Sequence, residues 1–215
     1  MNKRDYASLG LIALMLCTGA YISPNLPERM AVHWNISGEA DGYASKAFGV
    51  LAIPALTLAI YILMLAIPMI DVFKKNIMSF KGYFDNMKLL LVAFMTVIYL
   101  ASLMQNLEFN FNIGLVVMPS LAVLIYYIGH ALPHTRRNFF IGVRTPWTLA
   151  SETVWNKTHL IAGRSFRLNA ILIAACIILP SYGFWIVIAS LVANALFLAA
   201  YSYVIYQKEG RNDLT

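Results

Sequence analysis

Six apolar stretches separated by polar segments set the rhythm of this chain: Tyr6 to Ile22, Ala47 to Ile70, Leu89 to Met104, Ile113 to Leu132, Ala162 to Leu179, and Phe184 to Tyr206. Each approaches the ~20 residues a helix needs to cross the hydrocarbon of a bilayer. The first and third are short and call for snorkelling flanks such as Arg4 and Lys88. The last two form one apolar run, broken at Pro180-Ser181-Tyr182-Gly183, which reads as the turn of a helical hairpin. The pattern predicts an all-α membrane protein, a bundle of six transmembrane helices.

Two of the intervening segments have patterns of their own. Between the first two spans, Met30, Val32, Trp34 and Ile36 alternate with Ala31, His33 and Asn35, a period of two that predicts a short strand. Ser37-Gly38 and Asp41-Gly42 read as turns, so a strand or hairpin is expected over one mouth of the bundle. After the fourth span, Ser151 is placed to cap a helix whose first turn carries Glu152. Val154, Thr158, Ile161 and Ala162 would share its apolar face, with Glu152, Asn156 and His159 on a polar one. With Trp147 and Trp155 nearby, an amphipathic helix in the membrane interface is expected.

Charge orients the threading. With the N-terminus inside, fourteen of the sixteen Lys and Arg residues fall on one side and only Arg29 and Lys46 on the other. By the positive-inside rule both termini are cytoplasmic, the hairpin loop is extracytoplasmic and the helix-bearing loop is cytoplasmic. Composition agrees: 60% hydrophobic and 12% charged residues, with a mean hydropathy of +0.68, are too apolar for an ordinary soluble domain. The net charge of +6 therefore reads as contact with an anionic lipid leaflet, and no direct nucleic-acid binding is expected. One integrated membrane domain is expected, with 1-70 holding the first two spans and outer loop, 71-132 spans three and four, and 133-215 the inner loop and last hairpin.

Chemistry is sparse. No span carries an ionisable residue at its centre, where a pump or transporter usually has one, and no inverted repeat is visible. Asn194 is the most central polar residue of the last span and is expected to bond another helix. Cys17 and Cys176 have no disulfide or metal spacing. His33, Glu39 and Asp41 have suitable ligand types for a metal but match no established spacing, and no metal or other cofactor is expected. Glu152 and His159 form a conceivable acid/base pair, although no nucleophile accompanies them; an ion pair of Glu152 with Arg144 or Lys157 is the plainer reading. The chain is read as no enzyme.

The two loops carry a family resemblance. Leu26-Pro27-Glu28, His33-Trp34-Asn35, Ser37-Gly38-Glu39-Ala40-Asp41-Gly42-Tyr43 and Ser45-Lys46 resemble the short N-terminal domain of SdpI-like membrane proteins. Asn138, Ile141-Gly142-Val143-Arg144-Thr145-Pro146-Trp147-Thr148-Leu149 and Val154-Trp155-Asn156-Lys157-Thr158-His159 resemble the C-terminal signature of that family. Where the family usually has a basic residue and a glycine pair after Thr158-His159, this chain has Leu160-Ile161-Ala162-Gly163-Arg164.

The resemblance implies a protein of the prokaryotic cell membrane that gives immunity to a secreted SDP-type antimicrobial peptide toxin. It also implies signal transduction, by holding a cytoplasmic transcriptional repressor at the membrane. On that basis His33, Trp34, Asn35, Gly38, Glu39 and Asp41 are candidate ligand contacts of the outer loop. Asn138, Gly142, Arg144, Thr145, Pro146, Trp147, Glu152, Trp155, Asn156, Thr158 and His159 are candidates of the inner motif. A small-molecule or peptide transporter or flippase is the alternative function, and a membrane-embedded hydrolase a further one.

Overall fold

The computed structural model describes residues 2–178 and 180–209; Leu179, assigned above to the end of the fifth span, and Arg211, counted among the inner charges, lie outside the described residues. Eight helices and one hairpin follow in order: α1 (Lys3–Ile22), β1 (Arg29–Trp34), β2 (Ala40–Ser45), α2 (Lys46–Ile70), α3 (Lys74–Ser79), α4 (Lys81–Asn106), α5 (Gly114–Ala131), α6 (Pro146–Ala150), α7 (Glu152–Ala175) and α8 (Pro180–Lys208). Six of them, all except α3 and α6, are long and apolar enough to cross a membrane. The six-helix reading is borne out.

Local chemistry sets the helix starts. Asn2 and Asp5 form a reciprocal capping box on α1, Ser45 caps α2 and Ser151 caps α7, as expected from the sequence. Pro180 opens α8 instead of sitting in a turn. Its fixed φ and missing N–H suit the first position of a helix, so the break between the last two spans falls earlier, at the 3-10 segment Cys176–Ile178.

Two span boundaries differ more. The third span begins at Lys81 because the polar residues before Leu89 continue the helix. Lys88 is consequently two turns inside α4 and buried, so it is not the snorkelling flank expected from its place beside the apolar run. The amphipathic segment after Ser151 is not a separate interfacial helix. It is the first half of α7, which runs unbroken from Glu152 to Ala175. Short helices α3 and α6 occupy the loops instead.

The bundle is two groups of three. α4 packs on α1 and α2, α7 packs on α5 and α8, and an α4–α5 contact joins the groups. The lipid-facing exteriors remain apolar, with Leu56, Ile62, Leu63, Ile171 and Leu196 exposed, as expected where hydrocarbon is the solvent.

β1 and β2 pair antiparallel, which bears out the hairpin. Strict alternation does not persist along β1: Met30 and Ala31 are both buried, and beyond them the register slips, with Val32 and then Asp41 left unpaired. Asp41-Gly42 is therefore within a strand, not a turn. Gly42 faces His33 so closely that an added Cβ would lie 2.7 Å from the His33 Cβ, and this close approach explains the glycine.

Candidate functional site

Two clusters stand at opposite ends of the bundle, one around the hairpin and one around the loop before α7.

At the hairpin, Asn35 builds the turn. Its Oδ1 accepts from the N–H groups of Ser37 (2.9 Å) and Glu39 (3.0 Å), and its Nδ2 donates to Glu39 Oε2 at 3.0 Å. Gly38 takes φ +81° within that turn. Asn112, just before α5, donates to Ser37 O at 3.1 Å and ties the turn to the bundle. His33 and Asp41 pair at 2.5 Å on the exposed surface. Since Glu39 is engaged by Asn35, the three possible metal ligands do not converge, and no group of three such residues able to hold an ion occurs among the described residues.

A second asparagine clips the strand itself. Asn106, at the end of α4, accepts from Ala31 N–H at 2.8 Å and donates to Ala31 O at 3.0 Å. Its side-chain amide thus does for β1 what a hydrogen-bonded residue of a neighbouring strand would do. Beneath the clip Met30 joins Met15, Leu26, Val50, Tyr99 and Leu103 in a buried cluster.

Beside this cluster the hairpin roofs a cavity of about 370 Å³. Val32, Trp34, Ile53, Met118, Cys176 and Phe184 contribute to its mostly apolar wall. The volume is within the ~300–1,000 Å³ typical of small-ligand sites. Trp34 Nε1 is shielded from solvent and has no hydrogen-bond acceptor.

The opposite cluster is a folded loop held by buried, hydrogen-bonded side chains. Asn138 is fully buried; its Oδ1 accepts from Phe140 N–H at 2.9 Å and Ile141 N–H at 2.6 Å, while Nδ2 donates to Arg136 O and Ile141 O. Thr145 caps α6, with Pro146 in its first turn, and Thr145 Oγ1 lies 2.9 Å from Ser202 Oγ of α8. Thr148 donates to Val143 O at 2.8 Å. Trp147 packs against Tyr203 with ring centroids 5.0 Å apart. Arg144 is exposed and donates to Phe139 O at 2.5 Å.

His159 is the anchor of this loop. Contrary to its expected polar-face position it is buried, because the loop folds back over the start of α7 and covers that face. Nδ1 lies 2.8 Å from Trp155 O, one turn earlier, and Nε2 accepts from Val143 N–H at 3.0 Å. The two bonds assign the neutral tautomer with its proton on Nδ1. Trp155 is also fully buried, stacks on His159 at 4.0 Å and donates from Nε1 to Thr135 O at 3.1 Å.

Glu152 does not meet His159. It is exposed and pairs at 3.4 Å with Arg136, not with Arg144 or Lys157; Lys157 pairs with Glu209. Asn156 is exposed and Thr158 buried, with no hydrogen bond to Thr158 Oγ1. Both ring nitrogens of His159 are already bonded, so the acid/base pair is not formed.

The sequence reading missed a third polar centre near the same end. Buried Lys88 pairs with both Asp5 and Asp85, the latter at 3.4 Å. Lys81 and Asn2 Nδ2 each approach Asp85 Oδ2 at 2.6 Å, and Tyr61 Oη donates to Asp5 at 3.5 Å. The 81, 85, 88 spacing, which places three charges on one helical face, was the available signal. Asp71 was also missed: it is buried, and its Oδ2 accepts from Phe139 N–H at 2.9 Å.

Six apolar helices, with a hairpin at one end and an asparagine–histidine loop at the other, make this a multi-pass membrane protein. Residues 134–206 match the SdpI/YfhL protein family, and residues 10–58 match a domain of unknown function, DUF1648. The Immunity protein SdpI of Bacillus subtilis (strain 168) is 25% identical over 207 residues, which cover 96% of this chain and 97% of that protein. No solved structure matches.

Proposed function

We propose that this protein is a membrane immunity protein that gives resistance to a secreted antimicrobial peptide toxin, with the hairpin on the extracytoplasmic side and both termini in the cytoplasm. The observation that carries this reading is the similarity to an immunity protein along 96% of the chain. The charge distribution supports the orientation, and the hairpin is then the part first reached by a secreted peptide. Exposed His33 and Asp41 are its polar contacts, and the adjoining cavity supplies apolar surface.

Signal transduction is a finer part of the same proposal. Arg144, Asn156 and Glu152 are exposed at the opposite end and offer contacts to a cytoplasmic repressor, whereas Asn138, Trp155 and His159 support the loop that presents them. A polar surface on a buried framework suits a docking role without chemistry.

The test is survival of a toxin-sensitive bacterium challenged with an SDP-type peptide while expressing this chain. The parent is expected to protect, His33→Ala to protect less, and Arg144→Ala to protect while losing any repressor recruitment. Absence of protection by membrane-inserted parent protein overturns the reading.

A further inference from the structure

We propose that the seam between α4 and α5 binds one anionic phospholipid, with an acyl chain in the groove between the helices and the phosphate at Arg4, His130 and His134. This goes beyond the immunity reading and needs only that the six helices span a bilayer.

Two observations from different parts of the seam fall on one line. Midway along it, Leu90, Ala93 and Val97 of α4 face Ser120 and Val123 of α5 across a groove of about 230 Å³. Val97 and Val123 are exposed, so the groove opens on the surrounding hydrocarbon. Ser120 Oγ donates to Val116 O at 2.7 Å, which leaves walls suited to an apolar chain.

The same helical faces turn polar toward the end that carries the inner loop. Tyr83 and Asn86 continue the α4 stripe at helical spacing, and Tyr127 and His130 continue that of α5. Tyr127 Oη donates to Tyr83 O at 3.2 Å and closes the seam. His134 stacks on Tyr83 with ring centroids 4.2 Å apart and meets His130 edge-on at 5.8 Å. Both imidazoles are exposed, and each offers a ring N–H even when neutral. Arg4, in the first turn of α1, is half-buried and close enough to act electrostatically on the Tyr127 hydroxyl. Among the described residues, none of these three basic side chains pairs with a carboxylate. Asp5 and Asp85 are engaged by Lys88 and Lys81.

Charge and shape select the occupant. An unpaired guanidinium beside two imidazole donors fits a phosphate. A metal ion fits less well, since no third ligand joins the histidines among the described residues and the guanidinium repels a cation. A soluble phosphate would use the polar end alone. A phospholipid also fills the groove, which begins about 10 Å farther along α4. The seam is the joint between the two three-helix groups, so the lipid ties Arg4 of one group to His130 of the other.

In the test, purified protein is offered equimolar dioleoyl phosphatidylglycerol and dioleoyl phosphatidylcholine in dodecyl maltoside, and retained lipid is counted by native mass spectrometry. One phosphatidylglycerol per chain is expected, preferred about tenfold over phosphatidylcholine. Arg4→Gln is expected to abolish that preference. His130→Gln combined with His134→Gln, both at exposed positions, is expected to lower it about threefold. Ala93→Trp fills the groove and should weaken retention of both lipids, whereas Lys208→Gln on α8 should change nothing.

Equal retention of the two lipids by the parent overturns the site, as does a preference that survives both polar variants or falls equally in Lys208→Gln. Retention untouched by Ala93→Trp overturns the seating of the chain. Displacement of the lipid by glycerol 3-phosphate also overturns the proposal, because the pocket would then serve a soluble anion.

Discussion

A side chain on Gly142 would occupy the place of His159 Nε2. Gly142 also has φ +120°, so the backbone curls tightly around the imidazole and delivers Val143 N–H to it. Gly142→Ala is expected to destabilise by more than the ~1–2 kcal/mol of the left-handed backbone alone, since His159 must also move. A lower unfolding midpoint in detergent and loss of protection are the expected readouts; an unchanged midpoint would contradict the packing.

His159 itself can be tested by its acceptor. His159→Ala leaves Val143 N–H without its partner and uncovers one face of Trp155. A loss of about 1–3 kcal/mol is expected from the unpaired group, with Trp155 fluorescence shifting as water reaches the ring. Glu152→Gln, by contrast, removes an exposed pair at 3.4 Å and should change stability by under ~1 kcal/mol. An activity lost in Glu152→Gln with the fold intact would revive the hydrolase alternative.

Lys88→Met should leave Asp5 and Asp85 as buried acids without their shared cation. Breaking such a pair costs about 3–5 kcal/mol. Adding Asp5→Asn to Lys88→Met should restore part of the loss. A double variant no better than the single one would show that the cluster does not work as a unit.

Asn106→Ala should release the hairpin without dissolving the bundle. Ala31 loses the partners of both its N–H and its C=O, a cost of about 1–3 kcal/mol. Hydrogen exchange should accelerate at Ala31 and its strand neighbours while α7 stays protected. Uniform acceleration would mean that the hairpin is part of the global core.

Orientation is read by single cysteines in a Cys17→Ser, Cys176→Ser background. A cysteine at Glu39 should react with an impermeant thiol reagent in intact cells, and one at Asn156 only after permeabilisation. The reverse result would invert the proposed topology.

Much of the architecture was legible because spanning helices are written in hydrophobicity alone, and β1 because Met30, Val32 and Trp34 recur at every second position. Ser151 was recognisable as a cap since its role is local. Less visible were effects made by tertiary contact. Lys88 sits beside an apolar run exactly as a snorkelling residue would, and its burial depends on Asp5, far away in sequence. His159 occupies the polar side of a helical wheel, yet residues 138–145 fold over it. Asn106 and Asn112 resemble ordinary polar residues at a span end, and nothing local announces that each reaches the hairpin.

Helix α4 carries Lys88 in the charged cluster and Asn106 in the hairpin clip, with Val92, Thr96, Tyr99 and Leu103 buried between them. The two ends lie in phase: the interval from Lys88 to Asn106 spans about five complete turns. Removing one residue from this interval would rotate one end against the other by about 100°. Either the ammonium or the amide would then face away from its partners. Point substitutions on the lipid side leave that timing intact, so the lipid-facing positions of α4 should accept changes of residue far more readily than the helix accepts changes of length.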